Sequence, residues 1–276
     1  MKFTRCAFLT LCVMVLISHA IASASGLNRD PGFHPGAGLT TCYMVYYEPD
    51  MAINGLLDGI TAGCGYRFPN EPVVIHSDGE LTFGSPSCDG STGSETPAVA
   101  DPTDWICELR AVAAYDMNPF SRILFTPMAG LGYRYRNNEP EDPGGYERQS
   151  RYVYSPVGLS VGGFNADGWS WQVAGEYDFF WKGMVKSRLS DVRPAFNDPG
   201  IDQDTGDGYG AGFSLVLSKI VGHSNDLSLG MYLRYWDIEP SNPAPFEIRR
   251  FPAAQVFVYE PENETTIFGL RLELQF

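Results

Sequence analysis

Apolar and polar residues alternate with a period of two along almost the whole of this chain. The pattern is clearest in TIFGLRLELQF, where Phe268, Leu270, Leu272, Leu274 and Phe276 interleave with Gly269, Arg271, Glu273 and Gln275. Side chains on a β-strand point alternately to opposite faces, so such a segment predicts a strand with one greasy and one charged face. About ten such segments follow one another, at 39–47, 58–68, 77–86, 104–117, 121–136, 149–163, 168–182, 208–220, 226–238 and 264–276. Helical periodicity is absent, and Gly and Pro are spread throughout, so the chain reads as all-β. In 121–136 one face carries Ile123, Phe125, Ala129, Leu131, Tyr133 and Tyr135, and the other Arg122, Thr126, Met128, Arg134 and Arg136. In 168–182 Trp169, Trp171, Val173, Tyr177, Phe179 and Trp181 oppose Gln172, Glu176, Asp178 and Lys182.

The connections between segments alternate between long and short. YEPDMAINGL, 87–103, 137–148, 183–207 and 238–263 are long; NEPVVIH, Asn118-Pro119, NADG and GHSND are shorter. A soluble sandwich has no reason to gather its long loops at one end. A transmembrane barrel of the outer-membrane type does, with short periplasmic turns and long external loops. The sequence therefore predicts an antiparallel transmembrane β-barrel of ten strands, or eight if 39–47 or 77–86 fails to pair. An even number leaves both termini in the periplasm. Trp and Tyr gather towards the ends of the apolar stripes, as interfacial girdles require.

Upstream, Lys2 and Arg5 precede the uncharged run Cys6–Ile17, and Ala22-Ser23-Ala24 supplies a small-x-small cleavage pattern. The run is too short to span a bilayer, so 1–24 reads as a secretory signal peptide. Residues 25–38 would then be a short periplasmic segment and 39–276 the barrel. Losing Lys2 and Arg5 with the leader takes the formal charge from −14 to −16. That balance argues against nucleic acid and anionic headgroups as partners.

The terminal alternating strand ending in Phe276 resembles the C-terminal signature of Gram-negative outer-membrane β-barrels. SPVGLSVGG, EYDFFWKG, GYGAGFSL and RYWDIEPS are similar to small porin-like, OmpA-like barrels of mostly unassigned function. The resemblance covers most of 39–276. It implies an address in the bacterial outer membrane, contact with outer-membrane lipid, and recognition of Phe276 by the barrel-assembly machinery.

Charged residues fall on the predicted lumen faces: Arg67, Glu108, Arg110, Asp116, Arg122, Arg134, Glu176, Asp178, Arg234, Arg271 and Glu273. A ten-stranded lumen is narrow, and an unpaired buried charge costs several kcal/mol, so these residues are expected to neutralise one another as an ion-pair network filling the barrel. Omptin-type proteases have a similar strand number, with a His and several acids at the external rim. Here His34 precedes the first segment, and His76 and His223 fall in predicted periplasmic turns, so no catalytic residue and no enzyme activity is assigned. NDPGIDQDTGDG offers Asp202, Asp204 and Asp207 as a Ca²⁺ candidate, but its glycines stand out of register, and neither metal nor cofactor is expected.

Four cysteines lie beyond the leader. Cys88 and Cys107, near the external ends of neighbouring strands, are candidates for one disulfide. Cys42 and Cys64 are candidates for another, or for thiols acting as small apolar groups. The expected function is a non-catalytic barrel that displays the loops 137–148, 183–207 and 239–263 to an external ligand and braces the membrane. Tyr146, Phe196, Phe246, Phe251 and Tyr259 would be its contacts. A narrow pore for small solutes or cations is the alternative, and an outer-membrane hydrolase the third reading.

Overall fold

The structure, a computed structural model, describes residues 31–49, 51–91, 97–98, 101–120, 122–140, 145–165, 167–221, 225–246 and 256–276. Ten long strands form the wall: β1 (Gly32–Glu48), β2 (Met51–Arg67), β3 (Val73–Gly84), β4 (Thr103–Tyr115), β5 (Ile123–Glu139), β6 (Arg148–Phe164), β7 (Trp169–Ser187), β8 (Gly208–Val221), β9 (Asn225–Ile238) and β10 (Asn263–Gln275). Each pairs antiparallel with its sequence neighbours, and β1 pairs with both β2 and β10, which closes the sheet. Closure removes every sheet edge, and it allows irregular loops only outside the hydrocarbon. The signal peptide expected at 1–24 lies outside the described residues.

All ten alternating segments are strands of the barrel. The exterior is apolar, with Leu39 at 65% and Leu131 at 64% exposure. Two aromatic girdles bound it. Tyr43, Phe83, Tyr133, Tyr177 and Phe268 form one, and Phe33, Tyr66, Tyr115, Trp169 and Phe276 the other, all exposed. Phe268 to Phe276 spans roughly 21 Å of height at a strand tilt of about 40°, close to the ~25 Å apolar band of an outer-membrane barrel. Leu272 lies midway. Replacing it with Arg is expected to cost about 2–4 kcal/mol in a bilayer, measurable by denaturant unfolding in liposomes. A cost near zero would remove the membrane from this face.

The strands outlast the membrane. The 17 residues of β2, β5 or β6 rise ~44 Å at that tilt, so the wall stands well clear of the bilayer at the end carrying the long connections, the external end. The sequence boundaries fell short there for a physical reason. Above the lipid both faces of the wall meet water or protein, and the alternation fades. The expected long loop YEPDMAINGL is therefore mostly strand, since Glu48 pairs with Met51 and only two positions separate the strands. In β7 an extra residue bulges between Phe180 and Lys182. Phe180 points inward, Trp181 and Lys182 both face out, and Gly183, Val185 and Ser187 resume the inward phase.

At the other end β1 starts at Gly32, inside the stretch 25–38 expected to precede the barrel. Residues 25–30 of that stretch lie outside the described residues. Pro35 is tolerated in β1 because β10 pairs only from Gly36↔Gln275 upward, leaving no partner to need a proline N–H. The carbonyl of Pro35 accepts the Phe276 amide at 2.6 Å.

Candidate functional site: a lumen closed by ion pairs

The inward positions of β4, β5, β7 and β9 bring opposite charges to one level. Glu108 on β4 accepts from Arg134 on β5 at 3.1 Å and from Arg234 on β9 at 2.9 Å, and the Tyr154 hydroxyl of β6 donates to it. Arg234 also meets Glu176 at 3.0 Å and Asp178 at 3.5 Å on β7. Arg110 grips Glu176 with two parallel hydrogen bonds of 2.8 and 3.0 Å. Strands β4 and β9 are five apart in a ring of ten, so the Glu108–Arg234 pair crosses the full diameter. Glu108 and Glu176 each receive two guanidinium groups and Asp178 receives one, which satisfies charges that a narrow lumen would otherwise strand.

Aromatic side chains pack next to this layer. Tyr152, Tyr154, Phe180, Trp236 and Ile238 form a buried cluster, with Trp236 edge-on to Tyr154 at 4.9 Å and Tyr152 edge-on to Phe180 at 5.5 Å. Nearer the external rim Arg136 holds Asp104 at 2.6 Å and lies 4.2 Å from the centre of the Tyr46 ring. Arg148 on β6 joins Glu48 on β1 to Glu260 of the last loop, which again crosses the diameter. On the β10–β3 side Arg271 pairs with Glu80, Tyr232 donates to Glu80 at 2.9 Å, and Thr61 donates to Glu273 at 2.9 Å. Near the periplasmic end Arg67 holds Asp116 at 2.5 Å, and Thr126 donates to the same carboxylate at 2.7 Å.

Ten of the eleven residues expected in the lumen network converge in this way. Arg122 does not: it is exposed in the turn before β5, where the strand's inward phase has not begun. Asp78, Glu80 and Asp104 belong to the network and were not expected there; Arg136, read on the polar face of its strand, was not counted among the lumen charges. Asp104 and Arg136 share the parity of Glu108 and Arg134 on their own strands, whereas no residue of β3 was chosen at all. Glu48, Arg148 and Glu260 lie beyond the expected strand ends, where parity gave no guidance.

The expected disulfides are absent: all four cysteines are thiols. Cys42 faces the lumen opposite Leu57, whereas Cys64 faces outward opposite Pro35, seven positions along the ladder. The Glu48↔Met51 pair sets that register. Cys88 packs inward beside Ile53 and Ile106, while Cys107 lies on the outward side of β4. Asp202, Asp204 and Asp207 do not converge either. Asp202 pairs with Lys182 at 3.5 Å, Asp204 accepts from Asn242 at 2.9 Å, and the Asp207 carboxylate folds back on the Asp204 amide at 2.6 Å. His34 and His76 lie within β1 and β3 rather than before a strand or in a turn, and His223 is outside the described residues.

The external loops fold on one another. Gly200–Gln203 pairs with the raised part of β7, and Ala244–Phe246 forms a hairpin with Val256–Val258. Phe196 packs edge-on against Phe246 at 5.1 Å, and the Glu260 amide donates to Ser241 Oγ at 2.8 Å. Of the expected contact aromatics, Phe196 and Phe246 are therefore occupied by each other, Tyr146 is half-buried, and Phe251 is outside the described residues. Tyr259 is exposed at 62%, joined by Phe257 at 60%, which the sequence did not single out.

Closed ten-strand topology, an apolar girdled exterior and a polar filled interior define an outer-membrane β-barrel. No protein-family model matches the chain, and no curated protein matches it. Among solved structures, the outer-membrane protease OmpT of Escherichia coli is similar with a TM-score of 0.62 at 10% identity, covering 92% of this chain and 99% of that one. The translocator domain of the autotransporter NalP from Neisseria meningitidis aligns with a TM-score of 0.42 at 12% identity over 99% of this chain and 96% of that one. Ail, the attachment invasion locus protein of Yersinia pestis, aligns with a TM-score of 0.32 at 10% identity over 90% and 100%. At these identities the OmpT likeness establishes the fold alone.

Proposed function

We propose that this protein is a non-conducting, non-catalytic outer-membrane barrel whose working surface is its folded external platform. The observation that carries this reading is the Glu108–Arg234 contact across the lumen at 2.9 Å, within a layer where guanidinium and carboxylate groups interlock. An ion would have to break several charge-assisted bonds in a low-dielectric interior to pass. Four buried carboxylates of the external half, Glu48, Asp104, Glu147 and Glu260, are each engaged by an arginine. A carboxylate held in that way is a poor general base. The loops, by contrast, present Phe257 and Tyr259 to solvent, the first within and the second just beyond Val256–Val258, which pairs with Ala244–Phe246, and exposed aromatics of this kind suit binding to another surface.

Refolded barrel in a planar bilayer is expected to be electrically silent at physiological salt, with folding verified by its heat-shifted gel mobility. Steady cation-selective steps that change in Glu108→Gln and Arg110→Gln would establish the pore instead. For the binding surface, cells displaying the barrel should lose attachment to their ligand-bearing surface when Phe257 and Tyr259 are replaced by Ser. Attachment unchanged by that pair would remove the platform from the reading.

A further inference from the structure

Above the bilayer the outer face of the wall changes character between β9 and β10. Trp236 and Ile238 of β9 and Asn263 and Thr265 of β10 are turned inward and buried, which turns Asp237 and Glu264 outward. The two carboxylates are direct cross-strand partners. Glu264 stands four positions, roughly 10 Å, beyond the girdle residue Phe268. The ladder continues past the strand ends: Ile238 pairs with Asn263, and the Ser241 amide donates to the Glu260 carbonyl at 3.0 Å. Register between those two pairs sets Glu239 against Glu262, both exposed.

Two like-charged pairs therefore follow one another along a single face. Like charges directly opposite destabilise a sheet, so this arrangement costs the free barrel stability and is relieved by cationic groups laid against it. Among the described residues no Lys or Arg forms an ion pair with any of these four carboxylates. The stretch 237–264 holds six acidic residues against two basic ones, Arg249 and Arg250, so it is negative wherever those two side chains reach.

Aromatic rings frame the carboxylates. Tyr47 of β1 is the partner of Glu264, and Tyr209 of β8 is the partner of Asp237, both exposed on the same outward row. Phe257 and Tyr259 are exposed just ahead of Glu262 along the chain. Carboxylates alone would suit a small hydrated ion. Carboxylates set between exposed rings suit ammonium and guanidinium groups on apolar stems, because the stems lie along the rings while the charged heads reach the acids.

We propose that this face docks an extended basic segment of a partner polypeptide, with Lys or Arg at alternate positions. Alternate residues of an extended chain stand roughly 7 Å apart, which is also the interval between successive acid pairs on the barrel. The inference rests on the external platform being the working surface, and it names the chemistry of what that surface meets.

The test uses a short fluorescein-labelled peptide of alternating Lys and Thr, titrated into the refolded full barrel in nonionic detergent and followed by fluorescence anisotropy. Saturable binding is expected, weakened at least tenfold in Glu239→Gln with Glu262→Gln. Asp89→Asn with Glu139→Gln removes the same charge from exposed positions on other strands, and should change the affinity less than twofold. Asp237→Asn with Glu264→Gln takes the place of the first pair if that variant fails to fold. Equal losses in the two double variants would mean attraction to net charge alone, and the proposal would fall. It would fall equally if no saturable binding were seen, or if magnesium displaced the peptide at constant ionic strength, which would make the carboxylates a divalent-ion site. Cell attachment lost in Phe257→Ser with Tyr259→Ser but unchanged in Glu239→Gln with Glu262→Gln would keep the platform and overturn only its basic partner.

Discussion

Replacing Glu108 by Ala is expected to destabilise the barrel by about 3–5 kcal/mol, the range found when one partner of a buried ion pair is removed. Glu108 is 8% exposed and receives Arg134, Arg234 and the Tyr154 hydroxyl. Its loss leaves guanidinium groups in a dry lumen, with Arg234 still held at 3.0 Å by Glu176 and Arg134 losing the ion pair it makes at 3.1 Å. Glu108→Gln should cost less, because the amide oxygen still accepts although its NH₂ faces donors. Urea unfolding in micelles, followed by tryptophan fluorescence, gives both values. A loss under 1 kcal/mol for the alanine variant would mean that water reaches this layer and solvates the arginines, which would also reopen the question of conduction.

The second large effect concerns a glycine. A Cβ built on Gly132 of β5 would stand 2.1 Å from Tyr154 Cζ and under 3 Å from both Cε atoms, so the Tyr154 ring lies flat across the space a side chain would fill. That ring cannot swing aside cheaply, since its hydroxyl is tied to Glu108 and its edge meets Trp236 at 4.9 Å. Gly132→Ala should therefore destabilise by about 1–3 kcal/mol through overpacking. Tyr154→Ala should destabilise on its own account, by opening a cavity and freeing Glu108. The informative quantity is the double variant. With the ring gone the alanine meets nothing, so the two losses should fall short of additivity by at least 1 kcal/mol. Strict additivity would show that Tyr154 and Gly132 do not share this space.

The two effects illustrate what a sequence of this kind discloses. Strand parity placed Glu108, Arg110, Arg134, Glu176, Asp178 and Arg234 inside the barrel, because a period of two is a property of each strand taken alone. Which of them meet is another matter. The pairing of β4 with β9 across the lumen depends on ring closure and on register around ten strands, and no local pattern encodes it. The same limit defeated the cysteines. Replacing the expected ten-residue loop by the two positions between Glu48 and Met51 left Cys42 and Cys64 seven positions apart along the ladder, and strand parity alone puts them on opposite faces. The platform was half legible: long Gly/Pro-rich connections marked the external end, but the hairpin Ala244–Phe246 with Val256–Val258, and the mutual burial of Phe196 and Phe246, arise from contacts between separate loops. Arg122 failed for a smaller reason, since parity has no meaning one residue before a strand begins.

The ion pair across the diameter also has a consequence in time. Glu108 and Arg234 lie on strands that do not touch along the wall, so their contact exists only once the sheet has curled and β1 has met β10. Their bonds are thus absent from any partly assembled sheet and from a transition state that precedes closure. Substitutions in this layer should then leave the rate of insertion and folding nearly untouched and appear almost wholly as faster unfolding. The charges at the centre of the barrel act as a lock engaged last, governing how long the closed form survives and not how readily it is reached.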